Sequence, residues 1–186
     1  MIKQTEDIYR GLFEDLKEID RTKTIKRARA LLNQFKQIAH IASCVKPPSI
    51  SQSFEITTPE FSVGQLISDS TDKNLISRTV EKQTIAQELV EDMVRAINDL
   101  YVVKYGQPAD YYRSLLYITF IDESVYSRME AKVKAAKTFP NRSNGFMMDD
   151  HIFYEDLSVA LFAFANSYWS NETQSLLVYK NEEKKE

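Results

Sequence analysis

From Arg21 to Val45 the apolar residues keep a helical period, and no other feature of the chain limits its fold so tightly. Ile25, Ala28, Leu32, Phe35 and Ala39 fall on one stripe, and Leu31, Ile38 and Ala42 widen it. A strand would alternate by two, so this pattern predicts a helix with one covered side. The same period returns in Ile85, Leu89, Met93, Ala96, Ile97 and Leu100. That helical block starts near Asp72 and is expected to end at Tyr105-Gly106, with glycine at the C-cap and Pro108 beyond it. A shorter amphipathic helix is expected over 5–18, from Ile8, Leu12, Phe13 and Leu16. Four glycines in 186 residues are few for a fold built on tight turns, which also favours helices.

Between these blocks the period fails. Pro47 and Pro48 are expected to stop the first long helix, because proline lacks the amide donor and biases its predecessor away from helix. The Ser/Thr-rich run that follows, with Pro59, reads as a connector, and its scattered Phe54, Ile56, Phe61 and Leu66 suggest that part of it docks. Beyond Pro108, "DYYRSLLYITFI" predicts a helix with Tyr112, Leu115, Leu116 and Phe120 inward, although its last four residues have strand-like composition. Ser127 and Glu130 have the spacing of a capping box and start a short basic helix at about 128–138. "TFPNRSNGF" is a turn. Asp149 then caps a final helix, with Met148 and Phe153 as a hydrophobic staple across its start. Residues 170–186 read as a polar, frayed tail. The expected organisation is all-α: an N-terminal helical segment (1–46), a connector (47–71), a helical domain (72–169) and the tail.

Several function classes find no support. The longest apolar run in the last helix, Val159 to Ala165, is far below the ~18–20 residues of a membrane span. The first residues carry two acids and no apolar signal segment, so a cytoplasmic protein is expected. Cys44 is the only cysteine and suits a reducing compartment. With His40 and His151 far apart, no metal-ligand spacing arises. No phosphate loop, nucleophile elbow or HExxH is present, and the adjacent Glu155 and Asp156 face different ways on a helix. The chain is read as a non-enzyme without cofactors.

Charge is segregated beneath a formal net of −3. Residues 20–46 hold seven Lys/Arg, among them Lys26, Arg27 and Arg29, against Asp20. Residues 124–148 hold Arg128, Lys132, Lys134, Lys137 and Arg142 against Glu130. Charge alone fits two solvated faces as well as an anionic partner. The order of elements adds something. Two apolar helices, a capped short helix, a turn and a longer last helix is the order of a helix-turn-helix module with supporting helices. In that arrangement the second basic island meets phosphate.

The segments "IDRTKTIKRARALLNQFKQIA", "PPSISQSFEI", "STDKNLISRTVEKQ", "AINDL", "RSLLYITFI", "YSRMEA" and "FYEDLSVALFAFANSY" stand in the order found in ArpU-family phage transcriptional regulators, which the chain resembles over about 150 residues. The C-terminal part of that family is similar to sigma-factor region four. The resemblance implies a regulator of phage or prophage late genes that binds double-stranded DNA. By it, Ser127 starts a bracing helix carrying Arg128, Lys132 and Lys134. A reading helix begins near Asp149 and presents His151, Ile152, Tyr154 and Glu155, while Leu157, Ala160, Leu161 and Phe164 pack. Acids in the first turns of that helix suit its positive end, and a carboxylate can accept from a cytosine amino group. Lys137, Arg142, Lys26, Arg27 and Arg29 complete the candidate phosphate contacts. Two other readings stay open: a helical adaptor docking on a partner such as RNA polymerase, and a small DNA-packaging subunit. A homodimer suits palindromic sites.

Overall fold

The structure is a computed structural model that describes residues 18–62, 73–100, 108–143, 145–171 and 173–180. All but the last residue of the helix expected over 5–18, and the expected glycine cap at Tyr105-Gly106, lie outside them. Helices dominate, as expected. The long apolar stripe, however, folds as two helices: α1 (Arg21–Asn33) and α2 (Phe35–Ile41). At Gln34 the backbone opens to φ −90°, ψ −4°, and its amide is shared between the carbonyls of Leu31 and Leu32. The break lets one stripe serve two neighbours, because α1 packs on the final helix while α2 packs on the long central one. Pro47 is also not what ends α2. Ser43 does so in the left-handed region (φ 55°), donating its amide to the carbonyl of His40.

Cys44–Lys46 then forms β1, antiparallel to β2 (Glu60–Phe61) with a bulge between them. The expected connector is therefore folded at least as far as Ser62. Ile56 is buried, and the side chain of Asn98 clasps it as a strand would: Oδ1 accepts from the Ile56 amide and Nδ2 donates to its carbonyl, both at 2.8 Å. α3 (Lys73–Asn98) ends at Asn98, short of the expected end at Tyr105-Gly106, and the Leu100 amide turns back to the Ile97 carbonyl; its Ala86, Val90, Met93, Val94, Ala96 and Ile97 are buried and so widen the expected stripe.

Pro108 caps α4 (Ala109–Leu116) in an extended conformation. The strand-like end of that segment proves to be a widened π-helical turn, Tyr117–Ile121. Next come α5 (Arg128–Thr138), a 3₁₀ turn (Pro140–Arg142) and α6 (Asp150–Ser167). Both expected caps form. Ser127 and Glu130 make a reciprocal capping box, and Asp149 accepts from the amide of His151. Met148 and Phe153 are both buried across the start of α6.

α6 is the spine of the fold. Phe153, Leu157, Val159, Ala160, Leu161, Ala163, Phe164 and Ala165 are all buried, so the helix is covered nearly all round. Its alanines let α1, α4 and α3 approach closely. It has 18 residues, and no helix among the described residues is long and apolar enough to cross a membrane.

The segment after α6 corrects the expectation of a frayed tail. β3 (Trp169–Ser170) pairs with β4 (Gln174–Ser175), and Leu176 and Val178 are buried. Residues 178–180 then lie beside the start of α1. Asp20 donates its amide to Val178, Val178 donates to the buried Thr24 hydroxyl, and Lys180 donates to Glu18. Apolar side chains at alternate positions suffice to dock this segment despite its polar composition.

Candidate nucleic-acid interface

The two basic islands, remote in sequence, reach one surface. On α1 and α2, Arg29, Asn33 and Lys36 follow one another at helical spacing, so they line a single edge. The start of α5 faces that edge. A cleft of about 220 Å³ is lined by Asn33, Lys36, Thr119, Tyr126, Ser127 and Arg128. A smaller one of about 100 Å³ is lined by Arg29, Asn33, Thr119, Phe120, Arg128 and Tyr154. Asn33, Thr119, Phe120 and Arg128 are common to both, so the two depressions are one groove. The π-helical turn places Thr119 and Phe120 at its floor, a common use for such turns.

Local chemistry fixes the rim. The Glu130 carboxylate accepts from the amides of Ser127 (2.9 Å) and Tyr126 (2.7 Å), which holds Tyr126 at the mouth of the groove. Those amides, that of Tyr126 foremost, keep Glu130 below its usual carboxylate range. The Tyr126 side chain is 86% exposed. Lys36 donates to the carbonyls of Asp122 (2.7 Å) and Val125 (2.9 Å), and its ammonium stands 5.9 Å from the Tyr126 ring centroid. Two of its three donors are thereby used. Among the described residues, Arg29 and Arg128 make no hydrogen bond or ion pair.

The remaining expected phosphate contacts divide sharply. Lys26, Arg27 and Lys137 are exposed. Lys132 is 8% exposed and pairs with Asp150. Lys134 pairs with Asp122 and donates to Ser124. Arg142 donates to Asp156 at 2.5 Å, a bond that raises the Arg142 value above its already high norm. Asp156 is fully buried and also accepts from the Tyr111 hydroxyl at 2.6 Å. Burial, and then that bond, raise Tyr111 far above the usual phenol value. Half-exposed or buried cations held in this way are structural before they are anything else.

The expected reading residues of α6 fare differently. His151 and Glu155 are exposed, one turn apart, with Nδ1 3.7 Å from Oε2. Tyr154 is half-buried, packs edge-on to Phe153 and turns its remaining surface to the groove. Ile152 packs against the core. Of the four acids near the start of α6, Asp149 caps it, Asp150 meets Lys132 and Asp156 meets Arg142. α5 leans chiefly on the π-helical turn and the 3₁₀ turn.

Sequence reasoning did not single out Asn33, Lys36, Thr119 or Tyr126. The signal for the first two was present, since they continue Arg29 at i+4 and i+7. For Tyr126 it was an aromatic residue just ahead of a capping box. The groove between them depends on contacts some 90 residues apart, which no local pattern encodes. Comparison with protein-family models, with curated proteins and with solved structures finds no match.

Proposed function

We propose that the protein is a DNA-binding transcription regulator, of the phage late-gene kind that the ArpU resemblance implies, and that it holds the nucleic-acid backbone in the groove between α1 and the start of α5. The observation that carries this reading is the meeting of the two basic islands there. Arg29 and Arg128 line one depression with no internal partner among the described residues, and Lys36 keeps a donor unused. An unpaired guanidinium suits phosphate because its planar fork donates to two oxygens at once. In this reading Lys26, Arg27 and Lys137 add to the field, whereas Lys132, Lys134 and Arg142 support the scaffold. Base contacts from His151 and Glu155 are confined to one exposed edge of α6.

Gel-shift titration at low salt tests the proposal, with DNA taken from upstream of phage late genes. Reversing Arg29 and Arg128 together to glutamate is expected to abolish retardation, while the melting temperature holds because neither side chain bonds within the described fold. A wild-type protein that retards no DNA at low salt would sink the reading.

One observation favours a second reading, the helical adaptor. Val125, Met129, Val133 and Phe146 line an apolar depression of about 480 Å³ bordered by Lys134 and Lys137. Met129 is 57% and Phe146 76% exposed. A surface of that kind suits a protein partner such as RNA polymerase. Retained polymerase capture with no DNA binding would select it.

A further inference from the structure

We infer that the groove takes a single strand of nucleic acid, with one base stacked on Tyr126 and the adjoining phosphates on Arg29 and Arg128; this rests on the nucleic-acid reading above and specifies the ligand of that same groove. Four observations point to it.

The first is the state of Tyr126. A tyrosine that is 86% exposed normally drifts with its backbone. Here the backbone amide is fixed by Glu130 and the ring stands against the Lys36 ammonium. The backbone that carries the ring is thus fixed beside a cation, and the ring's surface stays open to solvent. Aromatic faces presented beside a positively charged groove are how single strands are bound without regard to sequence, since every base has a π-face.

The second is shape. The groove is a concave seam between two helices, not a protruding element. Reading bases in a duplex requires an element that enters the major groove, because the base edges lie inside it. A seam cannot do this. The bases of a single strand are free to turn into it.

The third is size. The groove's two parts, about 220 and 100 Å³, together reach only the lower edge of the ~300–1,000 Å³ of pockets that enclose a drug-sized ligand. It suits one flat ring entering at its mouth while the rest of the ligand runs along the rim.

The fourth is the polar lining. The Asn33 side chain makes no hydrogen bond among the described residues, so both its acceptor and its donors are available to a base edge. The Thr119 hydroxyl donates to Leu115 at 2.7 Å, which leaves it an acceptor. The N-terminus of α5 is not invoked, because its capping box already satisfies it.

Fluorescence anisotropy on the full chain tests the inference, with a labelled oligothymidine and a duplex of the same length at the same low salt. The single strand is expected to bind more tightly. Tyr126→Ala is expected to weaken strand binding roughly tenfold and duplex binding by less than about twofold, and Tyr126→Phe to restore it, because stacking needs the ring and not the hydroxyl. Arg29→Glu with Arg128→Glu is expected to remove both. Tighter binding of the duplex, or no effect of Tyr126→Ala on the single strand, overturns the inference and leaves the nucleic-acid reading standing. Binding of neither probe overturns both.

Discussion

Asp156 has no exposed surface, and its charge is answered on one oxygen by the Tyr111 hydroxyl and the Arg142 guanidinium. The guanidinium also lies 5.9 Å from the Tyr111 ring centroid, so the three groups form one unit that ties the 3₁₀ turn to α6 and α4. Without the Asp156 carboxylate, the buried Tyr111 hydroxyl and the Arg142 guanidinium, itself 24% exposed, lose the acceptor they share. Asp156→Ala should therefore lower unfolding free energy by about 1–3 kcal/mol, read as a shifted urea midpoint, and Asp156→Asn by less, since the amide oxygen still accepts. An unchanged midpoint for Asp156→Ala would show that the triad does not hold the turn. Asp122 carries a pH signature. Burial pushes its carboxyl up, but the bonds from Lys134 and Ser124 outweigh that and bring it below 3.8. A lowered folded value gives stability that is complete above the unfolded value and lost as pH falls through the folded one. Asp122→Asn should thus be less stable than wild type at neutral pH. The difference should close as pH drops below 3.8, in denaturation curves taken across that range. A difference that stays constant with pH would exclude the carboxylate as its source.

Asn98 shows how an element can be completed by a single side chain. Its amide satisfies both the donor and the acceptor of Ile56, so this buried residue of a largely exposed connector keeps its backbone bonds where it meets α3. Asn98→Ala should cost about 1–3 kcal/mol and speed amide exchange at Ile56, with little loss of helicity; unchanged exchange would count against the clasp. This clasp spans 42 residues and left no trace in the sequence. The features that were legible are the local ones. The Ser127–Glu130 box and the Asp149 cap need only residues within one turn, and both stand where the pattern put them. The inward Tyr112, Leu115 and Leu116 of α4 followed from period, although Tyr111 is buried as well, whereas the inward set of α6 came with the family resemblance. The break at Gln34 was hidden because the stripe continues through it. Only the existence of two separate neighbours explains it. The acids at the start of α6 were equally opaque, since Lys132 and Arg142 answer Asp150 and Asp156 from other elements.

At the scale of the whole molecule the formal charge is −3, which opposes an anionic ligand at long range. Placement has to overcome that opposition, and salt measures how far it does. Each phosphate neutralised on a single strand contributes about 0.7 to the fall of log K with log salt. Contacts from Arg29, Lys36 and Arg128 would give a slope of about −2, and Arg128→Gln should reduce it by about 0.7. A flat salt dependence would remove phosphate from the account. The docking of residues 178–180 beside α1 matters in another way, through synthesis. α1 is made well before the groups that finish its first turn, the Val178 amide on Thr24 and the Val178 carbonyl on Asp20, which lie 154 residues beyond Thr24. At about 5–20 residues per second the wait is roughly 8–30 seconds. For most of that interval the apolar stripe of α1 also lacks α6, the helix that covers it. The helix made first among those described is completed last, so a nascent chain stalled before α6 is made would offer that stripe to a chaperone.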